Sequence, residues 1–241
     1  GAGVDGNVYA LAFDGSGNLY AGGFFTSAGG VTVNNIAKWD GASWSALGAG
    51  VDGNVYALAF DGSGNLYVGG WFTTAGGVTV NRIAKWDGTS WNALGAGMNT
   101  TVRALAFDGS GNLYAGGDFS TAGGVSASRI AKWDGASWSA LGAGMNGSVR
   151  ALAFDGDGNL YAGGWYTTAG GVSASYIAKW DGASWSALGA GMNYVVRTLA
   201  FDGDGNLYAG GEFTAAGGGS ANYIAKWDGA SWSALGAGMN Y

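Results

Sequence analysis

Short runs of apolar and aromatic residues alternate with glycine-rich turns along the chain, and the pattern repeats every 47 residues. In the first copy these runs cover residues 8–13, 19–25, 36–39 and 43–47. Short runs rich in aromatic and β-branched side chains, bounded by glycine, asparagine and aspartate, are typical of β-strands. No window shows the 3.6-residue period of an amphipathic helix. The pattern therefore predicts an all-β fold with four antiparallel strands in each copy.

The copies are equal in length, and each begins with the tripeptide Gly-Ala-Gly. The predicted units are residues 1–47, 48–94, 95–141, 142–188 and 189–235, and residues 236–241 repeat the start of a copy. Equal lengths leave no insertion for a linker, a lid or a second domain. We expect one domain over residues 1–241 with 236–241 as a closing overlap. The sequence leaves open whether this overlap or contact between the end units closes the structure.

The predicted strands are apolar on both faces. In residues 8–13, one set of alternate positions holds tyrosine, leucine and phenylalanine, and the other holds valine and two alanines. An isolated sheet needs one face for water, whereas radially stacked sheets cover both faces of one another. Small residues such as Gly22 let neighbouring sheets approach, while Trp39 and Trp44 fill the wider outer region. We therefore predict a single closed five-bladed β-propeller, in preference to a β-sandwich or to an open solenoid with atypical end repeats.

Each copy carries a glycine pair, an aromatic residue and a tryptophan in fixed order, as in Gly22-Gly23, Trp39 and Trp44. This order resembles the kelch blade pattern, and the run from GNLYAGGFFT to NIAKWDGASWSALG is similar to propeller repeats of fungal cell-polarity marker proteins and bacterial surface proteins. The chain departs from common kelch repeats in having tryptophan at position 39 and in its 47-residue unit. The resemblance implies a propeller fold. It also implies an extracellular location if the chain derives from the surface proteins. It implies no activity, because propellers host many unrelated functions.

The copies are unusually alike. The first two differ at six of 47 positions, namely Ala21/Val68, Phe24/Trp71, Ser27/Thr74, Asn35/Arg82, Ala42/Thr89 and Ser45/Asn92. Independent drift would have separated them further. We interpret the chain as a recently amplified sequence or an engineered repeat, and the trimmed start with its six-residue overlap favours the second origin.

Composition excludes several classes of protein. Hydrophobic residues make up 48% of the chain, charged residues only 11%, and the net charge is −6. Without a basic stripe, nucleic acid is not an expected partner. The apolar runs are far shorter than the ~18 residues of a membrane helix, so we expect a soluble monomer with no membrane partner. The absence of cysteine excludes disulfides but leaves the cellular compartment open.

Substitutions between copies concentrate at the start of the first strand, the end of the second strand and the residue before the third. Antiparallel strands bring these three places to one edge of the sheet, which we call the variable rim. The opposite edge, with the DG(S/D)GN and KWDG(A/T)SW turns, is nearly unchanged between copies. Binding residues often lie on loops held by a rigid scaffold. The candidate ligand-binding residues are Phe24, Trp71, Arg103, Asp118, Arg150, Trp165, Tyr176, Arg197, Glu212 and Tyr223.

Aromatic rings beside arginine and carboxylate side chains suit a saccharide, whose C–H face stacks on a ring while its hydroxyls bond to polar groups. The alternative is that these side chains only stabilise the sheet. Asp118 would then pair with Arg103, Glu212 with Arg197, and Trp165 would lie under Arg150. Three hypotheses remain: a non-catalytic scaffold with no assured activity, a lectin-like saccharide binder, and a protein-interaction module.

Catalytic residues are scarce in this sequence. The chain has no histidine and no cysteine, which removes the usual general base and the best zinc ligands. Asp118 and Glu212 could form a glycosidase pair, but propeller glycosidases usually take their acids from inner strands, where none is predicted here.

The Asp155–Asn159 loop is followed by Leu160, where a calcium loop of the EF-hand type needs glycine. We therefore expect no enzyme, no metal site and no cofactor.

Overall fold

The computed structural model describes residues 3–239. These residues form five four-stranded antiparallel sheets and five two-stranded hairpins, one of each per 47-residue copy. We call each sheet with its hairpin a blade. Within the described residues there is no helix with the length and apolarity to cross a membrane.

The thirty strands follow the same order in every blade. Blade 1 contains β1 (Asn7–Phe13), β2 (Leu19–Phe24), β3 (Ser27–Ala28), β4 (Val31–Thr32), β5 (Ile36–Trp39) and β6 (Trp44–Ala46). Blade 2 contains β7 (Asn54–Phe60), β8 (Leu66–Trp71), β9 (Thr74–Ala75), β10 (Val78–Thr79), β11 (Ile83–Trp86) and β12 (Trp91–Ala93). Blade 3 contains β13 (Val102–Phe107), β14 (Leu113–Gly117), β15 (Thr121–Ala122), β16 (Val125–Ser126), β17 (Ile130–Trp133) and β18 (Trp138–Ala140). Blade 4 contains β19 (Ser148–Phe154), β20 (Leu160–Trp165), β21 (Thr168–Ala169), β22 (Val172–Ser173), β23 (Ile177–Trp180) and β24 (Trp185–Ala187). Blade 5 contains β25 (Val196–Phe201), β26 (Leu207–Gly211), β27 (Ala215–Ala216), β28 (Gly219–Ser220), β29 (Ile224–Trp227) and β30 (Trp232–Ala234).

In blade 1 the sheet order is β1-β2-β5-β6, and β3 pairs only with β4. The first strand of every blade lines a central channel with a volume of about 290 Å³. The predicted five-bladed β-propeller, with four antiparallel strands per blade and a 47-residue repeat, is confirmed. The predicted strands of the first copy correspond to β1, β2, β5 and β6, and no end is shifted by more than one residue.

Aspartate side chains organise the turns on the edge opposite the variable rim. Asp14 accepts hydrogen bonds from the backbone N–H groups of Ser16 and Asn18, each at 2.9 Å, and Asp40 accepts them from Ala42 and Ser43 at 2.8 Å. Backbone N–H groups bonded to the ionised form, chiefly that of Ser43, lower the pKa of Asp40. The near-identity of these turns between copies therefore has a structural reason.

Adjacent blades pack through interlocking small and large residues. A Cβ atom built on Gly22 would lie only 2.3 Å from Val55 Cγ1 in the next blade, so that valine needs a glycine opposite it. Tyr20 contacts Phe60 edge-on, with ring centroids 5.0 Å apart. The following three pairs of blades repeat this ring contact, as Tyr67–Phe107, Tyr114–Phe154 and Tyr161–Phe201. Four nearly identical interfaces therefore hold the five blades together.

The expected contact between blades 5 and 1 is not formed by the described residues. Phe13 is 67% exposed and Leu11 is 62% exposed, although their equivalents in blade 2 pack against blade 1. At the other end, Met239 is 57% exposed, whereas its equivalents Met98, Met145 and Met192 are each 3% exposed. Blade 1 and the segment after blade 5 therefore each expose the residues that are buried between neighbouring blades elsewhere in the structure.

The first and last described segments each contact the end blade nearest to them in sequence. Val4 forms a β-bridge with Ala28 in blade 1, and the Met239 backbone N–H donates to Asn222 O in blade 5. Asn240 and Tyr241, which belong to the predicted closing overlap, lie outside the described residues. Closure through residues 236–241 therefore stays a prediction, as do the predicted domain bounds.

The open face provides an internal control for the strength of the blade interface. We expect Phe60→Ser to lower the free energy of unfolding by about 2–4 kcal/mol, because Phe60 is packed between blades. Phe13→Ser should change it by less than about 1 kcal/mol, because Phe13 is mostly exposed. Urea denaturation of both variants measures the difference. Equal losses would indicate that blade 1 packs against blade 5 in solution.

Candidate functional site

A β-bulge in the first strand of each blade creates the mouth of the channel. Val8 pairs with Gly23 and Ala10 with Gly22, so Tyr9 has no opposite residue in β2. The same register shift recurs in all five blades, at the positions of Tyr9, Tyr56, Arg103, Arg150 and Arg197. A bulge redirects a side chain. These five side chains alone line a cavity of about 150 Å³, which we call the channel mouth.

Two arginines of the channel mouth are paired with acids as expected from the sequence. Arg103 Nε donates to Asp118 Oδ2 at 2.8 Å, and Arg197 Nε donates to Glu212 Oε1 at 2.5 Å. Ser148, from the next blade, donates to Asp118 Oδ1 at 2.5 Å. Burial opposes ionisation of Asp118, but the hydrogen bonds from Arg103 and Ser148 outweigh it, and the pKa of Asp118 is lowered. Both carboxylates are therefore engaged.

Arg150 differs from the two paired arginines. Its buried Nε has no hydrogen-bond partner. Burial, followed by the charges of Arg103 and Arg197, lowers the pKa of Arg150. In blade 4 the position equivalent to Asp118 is Trp165, so that blade supplies no acid there. Arg150 is thus the least compensated cation of the mouth.

An aromatic cluster lies beside the mouth across blades 4 and 5. The rings of Trp165 and Tyr176 lie 6.4 Å and 6.2 Å from the ring of Tyr194. Among the cation–π contacts of the described residues, the expected contact between Arg150 and Trp165 does not occur. Trp165 remains 54% exposed. Tyr194 is not among the predicted ligand-binding residues, although it lies at a variable position that holds glycine, threonine or tyrosine in the different copies.

The residue before the third sheet strand is left-handed in every blade. Asn35, Arg82, Arg129, Tyr176 and Tyr223 have φ between 61° and 73°. In blade 1 this conformation is held by hydrogen bonds from the Asn35 N–H to Phe25 O and from the Gly23 N–H to Asn35 O. Arginine and tyrosine adopt positive φ at a cost that glycine avoids. We call these five equivalent residues the left-handed column. Their backbone is strained in blades 2–5, where the residue is arginine or tyrosine, and the sequence pattern alone did not reveal this strain.

The remaining candidates do not line the mouth. Trp71 ends β8 and lies under the guanidinium of Arg82, whose Cζ is 4.0 Å from the ring centroid. Phe24 ends β2 in blade 1 and is exposed. Tyr223 precedes β29 in blade 5. The structure thus brings together Arg103, Asp118, Arg150, Arg197 and Glu212 at the mouth, and Trp165 with Tyr176 beside it.

Other acids of the variable rim support the backbone. Asp5 accepts hydrogen bonds from the backbone N–H groups of Thr26 and Ser27 at 2.8 and 2.9 Å, and Asp52 does the same in blade 2. No group of three or more histidine, cysteine, aspartate or glutamate residues in residues 3–239 could hold a metal ion. The chemistry that this rim offers is hydrogen bonding, cation–anion attraction and ring stacking.

Comparison with known proteins identifies the family. A model of the Rax2 C-terminal β-propeller domain matches residues 86–240, and a β-propeller domain of unknown function matches residues 62–85. The first match covers more than half of the chain. The chain belongs to the Rax2 C-terminal β-propeller domain family. Membership of the Rax2 propeller family confirms a β-propeller repeat family, while the kelch likeness and the engineered origin stay interpretations.

Solved structures with the same fold are distant in sequence. The extracellular domain of a one-component system of B. thetaiotaomicron has a TM-score of 0.58 at 16% identity, covering 99% of this chain and 32% of that one. YCF48 bound to a D1 peptide has a TM-score of 0.58 at 16% identity, covering 96% of this chain and 67% of that one. Catalytically inactive virginiamycin B lyase from Staphylococcus aureus with quinupristin has a TM-score of 0.56 at 10% identity, covering 94% of this chain and 68% of that one.

At such identities the likeness shows the fold alone. The chain spans about a third of the length of the B. thetaiotaomicron domain. A search of curated protein sequences finds no significant match.

Proposed function

We propose that this Rax2-family propeller is a non-catalytic binding module whose variable rim holds a segment of a partner protein. The observation that carries the proposal is the left-handed column with Arg82, Arg129, Tyr176 and Tyr223. Apart from this column and Asn81, the left-handed residues of the described chain are glycine. A scaffold selected for stability alone would use glycine or asparagine here, because strain of this kind persists where it has a function.

The surroundings of this column support a protein partner. Exposed aromatic rings beside arginine side chains are the residue types that dominate protein–protein interfaces. Trp165 and Tyr194 provide exposed rings, the half-buried Tyr176 lies beside Tyr194, and Arg150 provides the cation. YCF48, which has a similar fold, is bound to a D1 peptide in its solved structure, and this supports a peptide as the class of ligand to test.

The proposal of a non-catalytic role rests on the residues of the rim. The chain has no histidine or cysteine, and Asp118 and Glu212 are engaged by Arg103 and Arg197. A carboxylate held in an ion pair is a poor general acid. Virginiamycin B lyase has a similar fold, but an activity does not follow from a shared fold.

A lectin-like role is the second candidate, and one observation favours it. Trp165 presents an exposed ring next to polar side chains, as sugar stacking requires. Trp71 is less suited to this role, because Arg82 already covers its ring. The near-identity of the copies also fits a scaffold that was recently amplified or built by design, with no ligand at all.

Selection of displayed random peptides, run beside a glycan array, tests the three alternatives. We expect peptides that bind the protein and lose about tenfold or more of their affinity for Trp165→Ala, because a central aromatic residue commonly carries that much binding energy. Ser110→Ala, in the opposite turn, should leave binding unchanged. Trp165-dependent binding of glycans alone would support the lectin-like role. Absence of both kinds of ligand would leave only the scaffold.

A further inference from the structure

The geometry points to the channel mouth as an oxyanion site that takes a side-chain carboxylate of an acidic peptide, with Arg150 as its anchor. This inference rests on the proposed function and names the chemistry of its ligand. The mouth is defined by five side chains, three arginines and two tyrosines, around a cavity of about 150 Å³. A cavity of this size has room for a carboxylate with its adjoining chain.

The five arginines of the chain divide into engaged and available groups. Arg82 stacks on Trp71 and donates from Nη1 to Phe72 O at 3.0 Å. Arg129 donates to the backbone carbonyl of Asp118. Arg103 and Arg197 each hold an acid. Arg82 and Arg150 each have a buried Nε without a hydrogen-bond partner, but of these two residues only Arg150 lines the mouth. A buried unpaired donor on a cation is expensive unless a ligand meets it.

The charges at the mouth leave a positive excess. Arg103, Arg150 and Arg197 give +3, and the adjoining Asp118 and Glu212 give −2, so the group carries +1. The whole chain carries −6, so this positive site lies on an acidic protein. An anion is therefore attracted to the mouth in particular, while the remainder of the surface repels it.

The two tyrosines add neutral donors to this cation. Asn54 Nδ2 donates to the Tyr56 hydroxyl oxygen at 2.9 Å, and Asn7 Nδ2 donates to that of Tyr9 at 3.3 Å. Since each hydroxyl oxygen already accepts a hydrogen bond, its proton is available for a ligand acceptor. Arginine and two hydroxyl donors around one small cavity match the acceptor oxygens of a carboxylate.

An acidic peptide fits this arrangement better than a free anion does. The aromatic cluster of Trp165, Tyr176 and Tyr194 lies next to the mouth, where it can contact the apolar parts of a chain whose carboxylate enters the cavity. A free phosphate would use the mouth and leave the cluster without a role. Peptide recognition uses both features.

Fluorescence anisotropy with a labelled short polyglutamate peptide tests the inference on the full chain. We expect saturable binding that weakens with added salt. Arg150→Gln should weaken binding by about tenfold to a hundredfold, because the loss of charge-assisted hydrogen bonds reduces affinity by about that factor. Lys132→Gln removes one positive charge from β17 near the opposite edge of blade 3, and it should have little effect. A polylysine peptide of equal length should not bind, and inorganic phosphate should compete only weakly.

Several results would overturn the inference. Equal weakening by Lys132→Gln and Arg150→Gln would indicate a non-specific charge effect, and tight competition by phosphate would indicate a free-anion site. The proposed function is tested separately by the displayed peptides. If selected peptides depend on Trp165 but bind Arg150→Gln normally, the binding module stands and the carboxylate site is wrong. If polyglutamate binding depends on Arg150 while no selected peptide depends on Trp165, the carboxylate site stands and the role given to the aromatic residues of the rim is wrong.

Discussion

Gly164→Ala should lower the free energy of unfolding by about 3 kcal/mol or more, because no side chain fits at this position. A Cβ atom there would lie 2.1 Å from the carbonyl oxygen of Ser148 and 3.0 Å from Val149 Cα. Both atoms belong to the backbone of the paired strand β19, so relief requires the strands to separate beside the bulge. Thermal denaturation should show a decrease of roughly 6–12 °C in Tm.

Gly156→Ala is the matched control in the same blade. A Cβ atom at Gly156 meets nothing within 4 Å, and its φ is not left-handed. Alanine also restricts the unfolded chain, so the free energy of unfolding should stay within about 1 kcal/mol of the original value. A large loss at Gly156, or none at Gly164, would contradict the account of the glycine pair as a steric requirement of the sheet.

Much of the blade could be predicted from its periodic pattern. The four sheet strands and the Asp14 and Asp40 turns follow from residue types whose local preferences agree with the final structure. The pairs Arg103–Asp118 and Arg197–Glu212 were also predictable, because facing positions of a hairpin lie within reach of each other. The predicted binding role of the ten candidate residues stays a prediction.

The hairpin β3-β4 and the bulges escaped prediction for a physical reason. β3 and β4 have two residues each, which is too short for alternation of polar and apolar positions to appear. The bulge at Tyr9 lies inside an apparently regular run, because one extra residue changes the register without changing the residue types. The left-handed column was hidden because arginine and tyrosine do not indicate positive φ.

Closure could not be derived from the repeat because the period specifies a blade and not the number of blades in a ring. That number depends on the angle between neighbouring sheets, which contacts such as Tyr20–Phe60 and Gly22–Val55 set. Because the four interfaces are nearly identical, they repeat one angle between neighbouring sheets. After five blades, the described residues of blades 5 and 1 do not form the same interface. The exposure of Phe13 and Met239 is the result.

In blades 2–5 the outer tryptophan joins the blade to the segment that precedes it. Removing this tryptophan should give the second of the two largest losses of stability. Trp138 is buried against Trp133, and its Nε1 donates to Leu94 O at 2.9 Å. Because a large ring and a buried hydrogen bond are both lost, Trp138→Ala should lower the free energy of unfolding by about 3–5 kcal/mol in urea denaturation.

Trp44, the equivalent residue of blade 1, separates the two contributions. Among the described residues, Trp44 Nε1 makes no hydrogen bond of the kind that Trp138 Nε1 makes, and Trp44 is only partly buried. Trp44→Ala should therefore lower the free energy of unfolding by only about 1–2 kcal/mol. Trp138→Phe keeps a ring and loses the hydrogen-bond donor. It should lower the free energy of unfolding by about 1 kcal/mol, a smaller loss than that of Trp138→Ala. Equal losses for Trp44→Ala and Trp138→Ala would mean that packing within a blade, and not the link between blades, holds this propeller together.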